Sequence, residues 1–305
     1  MLRTPLPSPP VSSPIQRRAI LALIGAAFLF GATFVVVKSA LDDIEPVEFV
    51  AWRFLIGALV LAALALPRAN KTWWHGSIAG VALFAGYALQ TVGLQFTTAS
   101  NSALITGLYV VFTPFLASAL SRRLPSPWVV AGALAAFAGV ALLTGVDGLN
   151  LGRGVWLTVG CALAFAVHIV ILAHWAFQHP VIPFTMVQMA VTSVLAFAYA
   201  ALFAGGVGLP DRSVWAALAL TGIGVTAGAY LLQIWAQTIV GPSTAAVVLA
   251  AEPAFGVAAG WVVLGERLDV AGWIGAALIV SAIYVVITRQ RDQASRAAEA
   301  VTAAH

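Results

Sequence analysis

Residues 76–97 read GSIAGVALFAGYALQTVGLQFT, twenty-two consecutive positions without a charged side chain. A helix needs about twenty apolar residues to cross the hydrocarbon core of a bilayer, because each residue adds only about 1.5 Å of rise. The stretch therefore reads as one complete crossing. Its polar members are not scattered: Tyr87, Thr91, Gln95 and Thr98, with Gln90 flanking, fall at helical spacing and share a face.

Outward from this stretch the same reading repeats. Windows at 19–40, 47–66, 76–97, 99–121, 127–145, 153–174, 182–205, 213–238, 242–264 and 270–288 each satisfy it, bounded by Pro, Gly, Asn or charge. The connections are short, which predicts sequential helices side by side with alternating direction. Of the 305 residues, 61% are hydrophobic and 9% charged. Soluble domains carry about 25% charged residues. At this length a water-exposed surface could not be covered with so few, so lipid must be the solvent. One cysteine, Cys161, excludes an internal disulfide and a thiolate metal cluster.

The basic residues sort by side. With the N-terminus cytoplasmic, ten of them (Arg3, Arg17, Arg18, Arg68, Lys71, Arg122, Arg123, Arg289, Arg291 and Arg296) fall on the cytoplasmic side. Only Arg153, Arg212 and Arg267 fall in outer loops. That is the positive-inside pattern of a cell-membrane protein with both termini cytoplasmic. The +4 net charge thus reads as orientation and not as nucleic-acid binding. Residues 1–18, rich in Pro and Ser, are expected to be a disordered cytoplasmic tail. The first span is expected to stay uncleaved, and 289–305 to form a second cytoplasmic tail.

The chain also repeats itself. Tyr87-Ala-Leu-Gln90 recurs as Tyr230-Leu-Leu-Gln233, Ser100 and Ala103 as Ser243 and Ala246, and Gly132-Ala133 as Gly275-Ala276. Thr113-Pro114 and Glu252-Pro253 align with an offset about one helical turn shorter. Residues 19–145 and 153–288 therefore read as two copies of five spans each. An odd span number inserts the copies from opposite sides, the inverted repeat typical of secondary transporters with a site near the midplane.

Several stretches carry a family resemblance. They are Phe30-Gly-Ala-Thr-Phe-Val-Val-Val-Lys38, Trp52-Arg-Phe54, the run from Thr97 to Pro114, Glu252-Pro253, and Leu264-Gly-Glu-Arg-Leu268. Together they resemble the EamA family of the drug/metabolite transporter superfamily. The resemblance spans both copies. It implies an all-α fold of ten transmembrane helices in two inverted five-helix repeats, and a transporter of amino acids, metabolites or cationic drugs. The first span lacks the membrane glutamate of the short four-helix multidrug members.

In lipid, polar side chains turn toward protein or water. Ser102, Thr106, Tyr109 and Thr113 share one face of the fourth span. Thr226, Tyr230, Gln233 and Gln237 share one face of the eighth, and Thr185, Gln188 and Thr192 one of the seventh. Tyr87, Gln90, Thr106, Tyr109, Tyr230, Gln233 and Gln237 are the candidate substrate cavity, suited to a polar or zwitterionic solute. Hydroxyls bonded back to their own helix and amides serving as packing glue are the alternative.

Glu252, His168, Arg53 and Lys38 are the candidate ionisable residues within spans. Glu252, near midspan and followed by Pro253, could couple transport to protons or bind a substrate ammonium, or be a satisfied structural carboxylate. His168 could relay protons near neutral pH or be a core histidine. Arg53 could pair with Glu48 or Asp43 or attract a substrate carboxylate. Lys38 could snorkel to the outer interface. Pro114 and Pro253 are expected to kink their helices. Trp52, Trp73, Trp74, Trp128, Trp156, Trp175, Trp215 and Trp273 read as interfacial anchors.

No HExxH, GxSxG or Walker pattern occurs. Metal and cofactor are expected to be absent, and ATP hydrolysis is excluded. A secondary transporter results, an exporter of amino acids or related metabolites, with protons as the candidate coupling ion and a monomer or homodimer as the assembly. A cationic-drug exporter or an uptake carrier is the alternative, and a lipid enzyme a remote one.

Overall fold

The computed structural model describes residues 14–120, 124–125, 127–144 and 152–303. Its helices are α1 (Pro14–Ala40), α2 (Pro46–Leu64), α3 (Asn70–Leu94), α4 (Ala99–Thr106), α5 (Tyr109–Leu120), α6 (Pro127–Thr144), α7 (Arg153–Trp175), α8 (Val181–Phe203), α9 (Trp215–Ala219), α10 (Tyr230–Leu249), α11 (Glu252–Leu264) and α12 (Val270–Ala303). A π-helical stretch, Leu220–Ala229, joins α9 to α10, and a 3-10 turn, Ala176–Gln178, follows α7. Among the described residues there is no strand.

Seven helical stretches are long and apolar enough to cross a membrane. Val130–Leu143, Glu252–Leu264 and Val270–Val285 add three shorter apolar ones. The chain is an all-α membrane protein with roughly ten spans. Helix is what lipid demands, since every backbone group must find its partner within the segment. Large apolar side chains face outward along the spans, Leu21, Leu64, Leu134, Val194 and Leu202 among them. Trp73, Trp74, Trp128, Trp156, Trp215 and Trp273 are exposed too. Trp52 and Trp175 are not simple anchors. Trp52 packs edge-on between Phe197 and Trp215, and Trp175 stacks on His75 at 4.2 Å.

Local chemistry sets the ends. Pro46 stands in the first turn of α2, where its missing N–H costs nothing. Thr98 caps α4 by accepting from the Asn101 amide at 3.0 Å. Gly265, at φ +67°, ends α11 in the left-handed conformation open to glycine.

Two spans are interrupted. Gly107 and Leu108 separate α4 from α5, and Ala250 and Ala251 separate α10 from α11. The interruptions are as far apart in sequence as the pairs Tyr87–Tyr230 and Tyr109–Glu252, both 143 residues. Tyr109, not Thr113, thus occupies the place of Glu252. The irregularity expected at Pro253 takes the form of this second break: the proline has no N–H to offer the Leu249 carbonyl, α10 ends there, and Pro253 then stands in the first turn of α11, where its missing N–H costs nothing. Pro114 does lie inside α5. The loop expected near Gly241 is also absent, since α10 continues to Leu249. At the termini, α1 already begins at Pro14, within the expected tail, and the rest of that tail lies outside the described residues. So do Arg122 and Arg123 of the charge assignment. At the other end α12 runs on to Ala303.

The dominant packing is between halves, not between sequence neighbours. The α6 helix lies on α12 and α2 on α8. The α3 helix lies on α7 and α8, and α1 on α10 and α11. Sequential helices are tethered by their loops, but in lipid it is close side-chain fit that selects partners. Glycines permit that fit. A Cβ at Gly76 would stand 2.8 Å from Val187, and one at Gly80 2.8 Å from Val191, so these residues seat α3 on α8. The contacts come in mates, with α1 on α10 and α11 matched by α7 on α3 and on α4 and α5.

Candidate functional site

Between them α1, α3, α5, α7, α10 and α11 leave a cavity of about 120 Å³. A water needs about 10–15 Å³, so the space has room for a small organic molecule. Its wall carries six aromatic rings, those of Phe30, Phe34, Phe165, Tyr87, Tyr109 and Tyr230. Three amides (Gln90, Gln233 and Gln237), the Thr33 hydroxyl, His168 and the Glu252 carboxylate supply the polar wall, with Ile169 and Leu249 completing it. No lysine or arginine is among these lining residues.

The rings are held by one another. The Tyr87 and Tyr230 hydroxyls lie 3.2 Å apart. Phe30 meets Tyr230 edge-on at 5.2 Å, and Phe165 meets Tyr87 likewise at 5.2 Å. Gln90 donates to the Thr106 hydroxyl at 3.3 Å, and that hydroxyl sits 3.9 Å from the Cys161 sulfur. Thr106 thus stands behind the wall and orients Gln90. Tyr109 donates to Glu252 over a long 3.5 Å. Glu252 begins α11 at the interrupted span, so its carboxylate leaves the helix end and faces the cavity.

His168 donates from Nε2 to the Gln188 oxygen at 2.8 Å, since an amide oxygen only accepts. Gln188 in turn donates to the Phe184 carbonyl. The seventh-span stripe therefore does not join the cavity. Thr185 bonds back to Val181, Gln188 holds His168, and Thr192 donates to the Gly80 carbonyl. Gln95 and Thr98 are exposed at the end of their span, also away from the wall.

Arg53 and Lys38 lie outside the cavity. Arg53 is 1% exposed, and its Nε donates to Thr226 at 2.8 Å. Its guanidinium lies 4.9 Å from the centre of the Tyr87 ring, behind the wall. The expected pairing with Glu48 or Asp43 does not form. Glu48 accepts from the Gly208 amide instead, and Arg53 Nη2 has no hydrogen-bond partner. Lys38 donates to the carbonyls of Leu94 at 2.6 Å and Thr97 at 2.9 Å, where it closes the end of α3. Phe30, Phe34 and Phe165 were not expected on the wall. Apolar rings look the same in sequence whether they face lipid or cavity. Among the described residues no three His, Cys, Asp or Glu side chains gather as a metal site.

An all-α, multi-span membrane protein with interrupted helices around an aromatic cavity that carries a few polar groups is built as a solute carrier. The model of the EamA-like transporter family matches residues 17–145 and again 152–288, and the chain belongs to that family. It is 33% identical over 273 residues to an uncharacterized transporter of Archaeoglobus fulgidus, covering 89% of this chain and 86% of that one. It is 27% identical to the uncharacterized transporter YvbV of Bacillus subtilis, covering 92% and 95%. A solved crystal structure shares the fold, with TM-score 0.65 at 23% identity, covering 89% of this chain and 98% of that one. The protein is a multi-pass membrane transporter, and family and relatives alike point away from an enzyme.

Proposed function

We propose that the protein is a secondary transporter that exports a small solute bearing an ammonium group, an amino acid or related metabolite, by alternating access between two oppositely inserted halves. The halves are residues 19–145 and 153–288, with both termini cytoplasmic. The observation that carries this reading is the cavity itself: among the described residues its wall holds a single carboxylate, Glu252, with six rings and three amides, and no lysine or arginine. A carboxylate there attracts an ammonium, ring faces attract the same charge, and the amides satisfy the rest of a polar solute. A proton and an ammonium would compete for the same Glu252 oxygens, which couples release of one to binding of the other.

Support for inverted halves comes from the double family match and the mated helix contacts. It comes also from like-placed residues meeting each other. Tyr87 reaches Tyr230 and Tyr109 reaches Glu252, each across 143 positions, as residues beside a pseudo-two-fold axis must. A second reading, an organic-cation exporter, is favoured by the same rings and carboxylate, and differs in needing no partner for a substrate carboxylate.

The test is counterflow in proteoliposomes. Vesicles preloaded with an amino-acid pool, an organic-cation pool or a dicarboxylate pool are offered the labelled solute. Exchange with amino acids supports the first reading and exchange with cations alone the second. Exchange with dicarboxylates alone defeats both.

A further inference from the structure

We infer that Glu266, aided by Lys38, is the latch that seals the outer face of the transporter, and that its release is the step that opens the cavity to that side. The inference rests on the alternating-access reading above and assigns a role to residues outside the cavity.

The turn between α3 and α4, residues 95–98, is gripped at both ends. On the α3 side, Lys38 Nζ donates to the Leu94 and Thr97 carbonyls at 2.6 and 2.9 Å. On the α4 side, the first two amides of the helix need acceptors. They find them in a residue of the other half: Ala99 N–H and Ser100 N–H donate to the two oxygens of Glu266, each at 2.8 Å. The Ser100 hydroxyl adds a third bond at 2.6 Å. A carboxylate at a helix N-terminus combines charge-assisted hydrogen bonds with a favourable dipole.

The loop that presents Glu266 is itself set. Gly265 turns the chain at φ +67°, and the Glu266 amide donates to the Gly260 carbonyl at 3.1 Å. Asp269 then caps α12 through the Gly272 amide at 2.6 Å. Gly260 leaves room for the contact. A Cβ there would stand 2.5 Å from Ser100 Oγ and 2.6 Å from a Glu266 oxygen. The latch is thus a preformed piece of the second half closed on a helix end of the first.

Its sequence is not repeated in the first half. Leu264-Gly-Glu-Arg-Leu268 has its sequence counterpart in Leu120-Ser-Arg-Arg-Leu124, with arginine where glutamate stands. An arginine side chain accepts no hydrogen bond, so it cannot cap helix amides as Glu266 does. A contact that forms in one conformation and not in the other biases the resting protein toward closure on the face where it forms.

The test reads accessibility in the full-length protein, in sealed vesicles of known orientation, on a Cys161→Ala background. Thr33→Cys reports a membrane-impermeant maleimide added at the outer face, and Ile169→Cys reports the same reagent at the opposite face. With Glu266→Ala, labelling at Thr33→Cys should rise by about tenfold or more, the scale of a lost charged hydrogen bond. Labelling at Ile169→Cys should fall in step. Glu266→Gln, which keeps one acceptor, and Lys38→Met should lie between. In the Ser100→Cys/Glu266→Cys protein, oxidation should stop transport and reduction restore it. Unchanged outer labelling, or a rise at both reporters, would overturn the latch, as would normal transport by the oxidised protein. Labelling needs no substrate, so its outcome is independent of whether any solute proves to be carried.

Discussion

The hydroxyls of Tyr87 and Tyr230 lie 3.2 Å apart, although the residues are separated by 143 positions and belong to different halves of the chain. Two tyrosines that recur in sequence and then touch in space mark the seam on which the cavity is built. Removing one hydroxyl should cost about 0.5–1.5 kcal/mol of stability, and removing both little more, because the second then has no bond to lose. Thermal unfolding of Tyr87→Phe, Tyr230→Phe and the double variant in detergent checks this. Additive losses would mean the hydroxyls do not depend on each other.

Behind Tyr87, Arg53 is buried, with its Nε donating to Thr226 and its Nη2 without a hydrogen-bond partner. Thr226→Val should leave a second guanidinium nitrogen unsatisfied and cost about 1–3 kcal/mol, whereas Thr226→Ser should cost much less. Arg53→Lys should not substitute, because a lysine cannot hold a planar face over Tyr87 while reaching Thr226. A Thr226→Val protein as stable as the parent in the same unfolding assay would contradict the assignment.

Much of this site is legible in sequence, and the exceptions are physical. Tyr87, Gln90, Tyr109, Tyr230, Gln233, Gln237, His168 and Glu252 can be named because polar groups within spans must face away from lipid. The structure puts all eight on the wall. Thr185 and Thr192 obey the same rule by bonding backbone carbonyls, an outcome spacing cannot distinguish from a cavity. Arg53 departs from expectation because a ring face and a hydroxyl substitute for the carboxylate that a charge count demands. The spans emerge from hydropathy alone, but the interruptions at Gly107 and Ala250 do not. At the first of them the chain packs closely across the halves: a Cβ at Gly107 would stand 2.7 Å from Pro253.

At the membrane edge, His75 Nδ1 and His179 Nε2 lie 2.9 Å apart, and Thr72 Oγ1 is 3.1 Å from His179 Nδ1. Burial, and then the charges of His75 and Lys71, hold the His179 pKa below its ordinary 6.5. The fold therefore favours neutral His179. Its contribution to stability is complete above about pH 6.5 and declines as pH falls from there toward the lowered value. His174 also borders this cluster through Trp175. Titration of the His179 ring by NMR should place its midpoint below 6.5, and His75→Gln should raise it. A parent midpoint at or above 6.5 would contradict the geometry.

Close approach of α1 to α11 depends on Gly31, where a Cβ would stand 2.7 Å from both the Glu252 carbonyl and Phe255. Overpacking costs about 1–3 kcal/mol. Gly31→Val should push α11 away, lower stability on that scale and impair transport through displacement of Glu252. Gly25→Val, where nothing lies within 4 Å, should be tolerated. Equal behaviour of the two variants in unfolding and flux would sink the argument.

In the proposed transport cycle one carboxylate in the cavity, Glu252, exchanges a proton for the carried solute. Flux into proteoliposomes under an imposed pH gradient, compared between the parent protein and Glu252→Gln, tests it most directly. The gradient should accelerate flux by the parent and have no effect on flux by the variant. Equal acceleration of both would contradict it.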